Sequence, residues 1–296
     1  MSKMNDEFYK TLDYVLENDS RTVAMLGVSG IGVNGDYLAK YPGRFIDAGI
    51  MEQSIVGMAS GMSIAGMIPI IYGHSTFFIE RAYEQLKIDF GYQKLGGNFV
   101  LFGNSTELGV LGATHCCPAA LAVLSMIPGM EIVTPGRPDE FTSLFLESYD
   151  DGKPTVYRTT LFMNSYNEKV SFGKANVVKK GSEATVVAIG PMLELAMRAF
   201  IDYDVTILYY TTIVPFDEET LRTNLNNNRI LLMESGYQGG ISHLLMKTLK
   251  DTEVKIDFVG YPLEFITNHG YAVDNAPLYG LTVDAVQEKL KKLVTI

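Results

Sequence analysis

The sequence predicts an α/β protein of two domains, each a mainly parallel sheet flanked by helices. Three observations carry that prediction. At 296 residues the chain exceeds the usual size of one domain. Short β-branched or apolar runs alternate with segments of helical spacing. The alternation lapses once, over 162–182, in the polar stretch FMNSYNEKVSFGKANVVKKGS. The division expected is a first domain at 1–165, a linker at 166–180 and a second domain at 181–296.

In the first domain the strands are TVAMLGV (22–28), IPIIYG (68–73), NFVLFG (98–103), MEIVTP (130–135) and TVYRTT (155–160). They are near-continuous apolar runs, as parallel strands covered on both faces should be. Between them, RAYEQLKIDFGYQ (81–93) and RPDEFTSLFLESY (137–149) have helical spacing and length. The second domain repeats the alternation with ATVVAIG, PMLELAMRAFID, VTILYYT, DEETLRTNLN, RILLMES, GGISHLLMKTLK and VKIDFVG.

A formal charge of −10 without clustered Lys and Arg argues against a nucleic-acid groove. Asp6, Glu7, Asp13 and Glu17 are incompatible with a secretory leader, and no run reaches the ~18 apolar residues of a membrane span. The only cysteines, Cys116 and Cys117, are adjacent, which suits neither a structural disulfide nor metal-ligand spacing. A cytoplasmic protein with no metal ligands of its own is expected.

GIGVNG, Gly30 to Gly35, fits the dinucleotide pattern G-x-G-x-x-G, with Asp47 downstream. Its context fails, because the third glycine should open a long helix. Pro42 and Gly43 interrupt the chain within two turns, so a loop at a strand's carboxyl end is the better reading.

From Met51 to Gly66 the pattern is helical, with Gly57, Gly61 and Ala65 recurring on one face, a spacing that permits close approach of another backbone. Interior glycine costs about 1 kcal/mol relative to alanine, so the pair implies a steric requirement. Glu52 stands in the first turn of this otherwise apolar or small run. A carboxylate there either complements the helix dipole or is a buried acid, its pKa raised by desolvation, that holds a partner's ring nitrogen. Position alone does not choose.

The strings RFIDAGIMEQSIVGMASGMSIAGMIPII, HSTFFIERAYEQLKIDF and GATHCCPAALAVLSMIPGMEIVTPGRPDEF closely resemble the pyrimidine-binding domain of the transketolase family, which includes the deoxyxylulose-phosphate synthases. KGSEATVVAIGPMLELAMRA, VPFDEETL, MESGYQGGISHLLMKTL and VGYPLEFITNHG resemble that family's carboxyl-terminal domain. The resemblance runs over essentially the whole chain. It implies thiamine diphosphate as cofactor, with Glu52 hydrogen-bonded to a ring nitrogen of the aminopyrimidine so that the imino tautomer can take the thiazolium proton. An aromatic ring against the pyrimidine is implied at Phe77, counting from Glu52, or Phe78, counting back from RAYEQ. Tyr83 matches an aromatic lining the same pocket, and Ile50, Met51 and Gln53 are its neighbours. His115 matches the histidine of the family's GPTH motif, near the reacting atoms. His74 is within reach of the substrate space, and Arg158 is an anion contact or a structural ion-pair member. His243 and His269 are placed in the second domain, far from these motifs.

The family's diphosphate-binding domain, with its GDG magnesium motif, has no counterpart here, since NGD at 34–36 stands in the wrong context. The resemblance therefore implies the C-terminal subunit of a split transketolase, paired with a separate N-terminal diphosphate-binding subunit that holds the Mg2+, as an α2β2 heterotetramer. The implied reaction moves a two-carbon ketol unit from a ketose to an aldehyde or ketone acceptor. Leu111 stands where the family commonly has a sugar-binding aspartate, Gly103 where many transketolases have a histidine, and Leu161 and Phe162 near an expected second arginine. These changes imply an acceptor that is less hydroxylated, unphosphorylated or nucleotide-linked, in carbohydrate biosynthesis. The alternatives are a β subunit of a 2-oxoacid dehydrogenase and a catalytically silent subunit.

Overall fold

The structure, a computed structural model, describes residues 3–27, 35–167 and 169–295. It is built on two mixed, mostly parallel sheets flanked by helices, as the alternation predicts. The GIGVNG string lies, apart from its last glycine, outside the described residues.

The first domain opens with α1 (Lys3–Asn18), absent from the sequence-predicted series, whose Met4, Phe8, Leu12 and Val15 are fully buried at helical spacing. Strands β1 (Thr22–Leu26), β2 (Phe45–Asp47), β3 (Ile68–His74), β4 (Gly97–Phe102), β5 (Glu131–Val133) and β6 (Pro154–Arg158) are parallel, in the order β5-β6-β4-β3-β1-β2. Helices α2 (Gly35–Lys40), α3 (Glu52–Ile64), α4 (Tyr83–Gln85), α5 (Ala120–Ser125) and α6 (Pro138–Ser148) connect them. The predicted helix at 81–93 is mostly π-wound: π turns at Phe77–Arg81 and Leu86–Tyr92 flank the short α4.

The second domain contributes β7 (Ala175–Lys179), β8 (Ala184–Ile189), β9 (Val205–Tyr210), β10 (Thr212–Val214), β11 (Arg229–Tyr237) and β12 (Lys255–Tyr261). Its helices are α7 (Met192–Phe200), α8 (Glu218–Thr223), α9 (Ser242–Thr248), α10 (Ala272–Leu278) and α11 (Val283–Thr295). Its sheet runs β12-β11-β8-β9-β7, with β7 antiparallel and drawn from the stretch read as a linker. Strand β10 instead crosses to the first sheet and pairs antiparallel with β5. Tyr209 of β9 also reaches across, its hydroxyl donating to Glu140 Oε2 of α6 at 2.7 Å and accepting from Asn164 Nδ2 at 3.0 Å. Two apolar clusters, one on each side of the sheets, run through both domains.

The glycine face of α3 is loosely covered among the described residues, approached only by Asp89 of the π turn Leu86–Tyr92. A Cβ on Gly61 would find nothing within 4 Å, and one on Gly57 would find only Asp89 Oδ2 at 3.9 Å. Gly73 of β3 is the opposite case, since a Cβ there would lie 2.0 Å from Cε2 of the buried Phe78. Gly61→Ala should raise the stability of the isolated chain by about 0.5–1 kcal/mol. Gly73→Ala should lower it by about 1–3 kcal/mol through overpacking. Urea unfolding of the two variants checks both signs.

Candidate active site at the carboxyl ends of the first sheet

The carboxyl ends of parallel strands are where open α/β sheets gather their loops. Glu52 occupies the first turn of α3 after Met51, which makes no side-chain cap. Its side chain is 3% exposed, and its Oε2 accepts from Arg81 Nη1 at 2.8 Å. The acid is buried, as the second sequence reading requires, but it is not enclosed by hydrocarbon alone. Arg81 is half exposed, and its guanidinium carbon stands 4.5 Å from the centroid of the Phe77 ring. Arg81 is a residue that sequence reasoning missed; the signal available was a cation inside the motif that follows the aromatic pair.

Phe77 is the centre of a second group. Its ring centroid lies 4.9 Å from that of His74 and 5.2 Å from that of His115, and the two imidazoles are 5.4 Å apart. His74, the last residue of β3, is buried, and burial together with His115 brings its pKa down to about 4. Its Nδ1 accepts from the Thr76 backbone N–H at 3.3 Å, which assigns the proton to Nε2. That Nε2–H has no partner among the described residues, an unsatisfied donor beside His115 and Phe77.

His115 arrives on a loop of two short 3₁₀ turns, Gly109–Leu111 and Ala113–His115. Gly112 between them has φ +89°, the left-handed region that favours glycine. The second domain closes on this loop: a Cβ on Gly112 would lie 3.0 Å from Cε1 of His269. His269 is therefore next to the motif loop, contrary to the sequence expectation, because the chain after β12 folds back across it. Leu111, on the first of these turns, is 54% exposed, an apolar side chain offered to solvent. At Gly103, φ is +76°, and a Cβ would meet Leu108 Cδ1 at 2.9 Å and His74 Cε1 at 3.3 Å, so a side chain there is strained and displaces its neighbours.

The remaining sequence candidates lie elsewhere. Phe78 is wholly buried, its ring seated on Gly27 and Gly73, and forms part of the core. The one-residue ambiguity between Phe77 and Phe78 coincides with the π turn Phe77–Arg81, the winding by which a helix absorbs an extra residue. Tyr83 is partly buried and donates its hydroxyl to Val123 O of α5 at 3.1 Å. Ile50 and Met51 are 61% and 51% exposed. Arg158 has no exposed surface: its Nη2 donates to Asn104 Oδ1, and Glu107 and Glu234 supply opposing charge. Burial pushes both carboxyls up to about 7 and the arginine down to about 10. Arg158 is thus buried among charged groups, with its Nε and Nη1 left without a partner among the described residues. Cys116 and Cys117 are free and buried, and burial raises both thiols, Cys116 to about 11. Among the described residues no His, Cys, Asp or Glu group could hold a metal ion, and no helix is long and apolar enough to cross a membrane.

The fold agrees with what known proteins show. Residues 7–160 match the family profile "Transketolase, pyrimidine binding domain", and residues 173–286 match "Transketolase, C-terminal domain". The chain belongs to the transketolase family. It is 29% identical to the "Uncharacterized 33.6 kDa protein in fasciation locus" of Rhodococcoides fascians, over 97% of this chain and 93% of that protein. It is 28% identical to one of the subunits of the apulose-4-phosphate transketolase of Phocaeicola vulgatus, over 94% of this chain and 93% of that one. Against the 1-deoxy-D-xylulose-5-phosphate synthase of Clostridium acetobutylicum it is 29% identical, over 96% of this chain but only 48% of that enzyme. The fold superposes on a split-gene transketolase, an inactive beta4 tetramer, with TM-score 0.87 at 21% identity over 99% of this chain and 98% of that one.

Arg81→Leu strands a buried carboxylate and should lower stability by about 1–3 kcal/mol, and by less than half of that in a Glu52→Gln background. A double-mutant cycle in urea reads the coupling, and additive effects would contradict the pair. The pKa of His74 in the fold, about 4, lies below its ordinary 6.5. Its contribution is complete above pH 6.5, and as pH falls the unfolded chain takes the proton first, so stability is lost down to about pH 4. Measured against His74→Phe, the wild type should lose about 1–3 kcal/mol between pH 7 and pH 4.5.

Proposed function

We propose that this chain is the C-terminal subunit of a split, thiamine-diphosphate-dependent transketolase that moves a two-carbon ketol unit from a ketose to an aldehyde or ketone acceptor. The observation that carries the reading is Glu52: a carboxylate buried at a helix start, whose partner Arg81 lies against the partly buried Phe77 ring, with the unsatisfied His74 donor beside the same ring. The names of the relatives support the split arrangement, since one is a separate subunit of a transketolase and a fold neighbour is a split-gene product. The partner is a separate diphosphate-binding subunit that holds the Mg2+, in an α2β2 heterotetramer. The open glycine face of α3, with Met51, Met58 and Ile64 exposed along it, is the surface that meets that partner.

The residues present fit the aminopyrimidine half of the cofactor. Glu52 would accept the proton-sharing hydrogen bond of the ring nitrogen, a position that Arg81 occupies here. Phe77, not Phe78, would lie against the ring, because only Phe77 is accessible beside Glu52's partner. Ile50, Met51 and Tyr83 shape the surroundings. When bound, thiamine diphosphate supplies the nucleophilic carbon and the electron sink. His74 Nε2–H would donate to a substrate oxygen, a role its lowered pKa supports by keeping it neutral at pH 7. His115, beside it, binds or exchanges a proton with the hydroxyl adjacent to the bond that breaks. In the overall exchange the C2–C3 bond of the ketose breaks and a new bond forms to the acceptor carbonyl carbon.

Arg158 is wholly buried, Gly103 holds a left-handed conformation that disfavours a side chain, and Leu111 presents methyl groups. The acceptor is accordingly one with fewer hydroxyls and no phosphate at that end, an unusual or nucleotide-linked sugar.

Calorimetric titration of thiamine diphosphate and Mg2+ into this chain, alone and with the diphosphate-binding subunit, tests the proposal. Binding and ketol transfer should appear only in the mixture and fall at least 100-fold with Glu52→Gln. Tight binding and turnover by the chain alone would contradict the split enzyme, and an unaffected Glu52→Gln complex would make this subunit a scaffold. Efficient use of xylulose 5-phosphate with ribose 5-phosphate would contradict the acceptor assignment.

A further inference from the structure

A cavity of about 290 Å³ opens between the loop that follows β4 and helices α7 and α10 of the second domain. Its inner end is polar and unsatisfied. Asn104 and Ser105 are 1% and 3% exposed, and Asn104 Nδ2, Ser105 Oγ and Ser235 Oγ have no hydrogen-bond partner among the described residues. Its walls are apolar, formed by Phe162, Met192, Leu195, Ala276 and Leu281.

Behind the polar end lie two buried carboxyls and the Arg158 guanidinium, whose Nε and Nη1 have no partner among the described residues. Glu107 accepts from the Asn104 backbone N–H at 3.0 Å and from the Thr160 hydroxyl, and it faces the buried Arg158 with Glu234. At the mouth, Glu194 accepts from Ser165 N and Oγ at 2.9 and 2.8 Å, and Arg198 is an exposed lining residue. An anion at the inner end would face the carboxyls of Glu107 and Glu234 together with Arg158, and Arg198 at the mouth is exposed and screened by solvent, so a full charge gains little here. Three donors grouped at the end of an apolar recess instead call for an acceptor that brings no charge with it.

We propose that this interdomain cavity is a binding site for an uncharged amphipathic small molecule, its carbonyl or hydroxyl on Asn104, Ser105 and Ser235 and its apolar body along Leu195 and Ala276. On the order of ten non-hydrogen atoms fill the space, at roughly 30 Å³ each. The occupant ties α10 to the loop that carries His115. Asn275 Nδ2 of α10 donates to Gly270 O at 3.0 Å, and a Cβ on Gly109 would lie 2.6 Å from that same oxygen. The inference is independent of the thiamine reading, because none of the cavity residues belongs to the Glu52 group.

The test uses the full chain, 1-hexanol as probe and hexanoate as its charged counterpart. Saturation-transfer NMR and thermal unfolding should give saturable binding of 1-hexanol with a rise in Tm, and binding of hexanoate at least tenfold weaker. Ser235→Ala should weaken 1-hexanol at least threefold, and Ala276→Trp, which fills the recess, should abolish its binding. Leu195→Phe is the second filling variant should Ala276→Trp not fold. Absence of saturable 1-hexanol binding would mean that the cavity holds water only and would overturn the proposal. Undiminished binding to the filled variant, or equal binding of hexanoate, would overturn it as well.

Discussion

A carboxylate taken out of water needs a cation, a proton or several donors, and Glu52 is 3% exposed. Much of the candidate site is arranged by how this requirement is met. The helix start that brings Glu52 in offers backbone dipoles but no side-chain cap. The guanidinium of Arg81 supplies the rest, at 2.8 Å, and to reach the acid it crosses the ring of Phe77. One π-wound turn, Phe77–Arg81, sets ring and cation four residues apart on the same side. The ring it leaves accessible is the one flanked by His74 and His115.

A second buried charge joins the domains. Arg158 ends β6 of the first sheet, yet Glu234, which helps balance it, belongs to β11 of the second. Strand β10 and the Tyr209 hydroxyl add backbone and side-chain links across the same boundary. With two apolar clusters continuous through both domains, the second domain is part of the platform under the His115 loop.

Much of this was legible in the sequence, and what was not has identifiable causes. The buried parallel strands are long apolar runs, so β1, β3, β4, β6, β8, β9, β11 and β12 stand close to where the pattern put them. Strands β2, β7 and β10 escaped because they are short or at sheet edges, where pairing rather than local composition decides conformation. Glu52 announced itself as an acid heading an apolar run. Arg81 did not, because its significance lies in a contact 29 residues back along the chain. His269 likewise gained its place only from the return of the chain after β12. The glycine face of α3 suggested a close helix contact, and among the described residues only Asp89 of the π turn Leu86–Tyr92 comes within 4 Å of a Cβ built there.

The central claim is that Glu52 requires a partner, which Arg81 supplies in the free chain and the cofactor's ring nitrogen supplies in the assembled enzyme. The most direct measurement is a crystal structure of this chain with its diphosphate-binding partner and thiamine diphosphate. The account predicts a hydrogen bond from the ring nitrogen to Glu52, Phe77 against the ring, and Arg81 displaced from the carboxylate. Cofactor bound with the Arg81–Glu52 pair intact would contradict it.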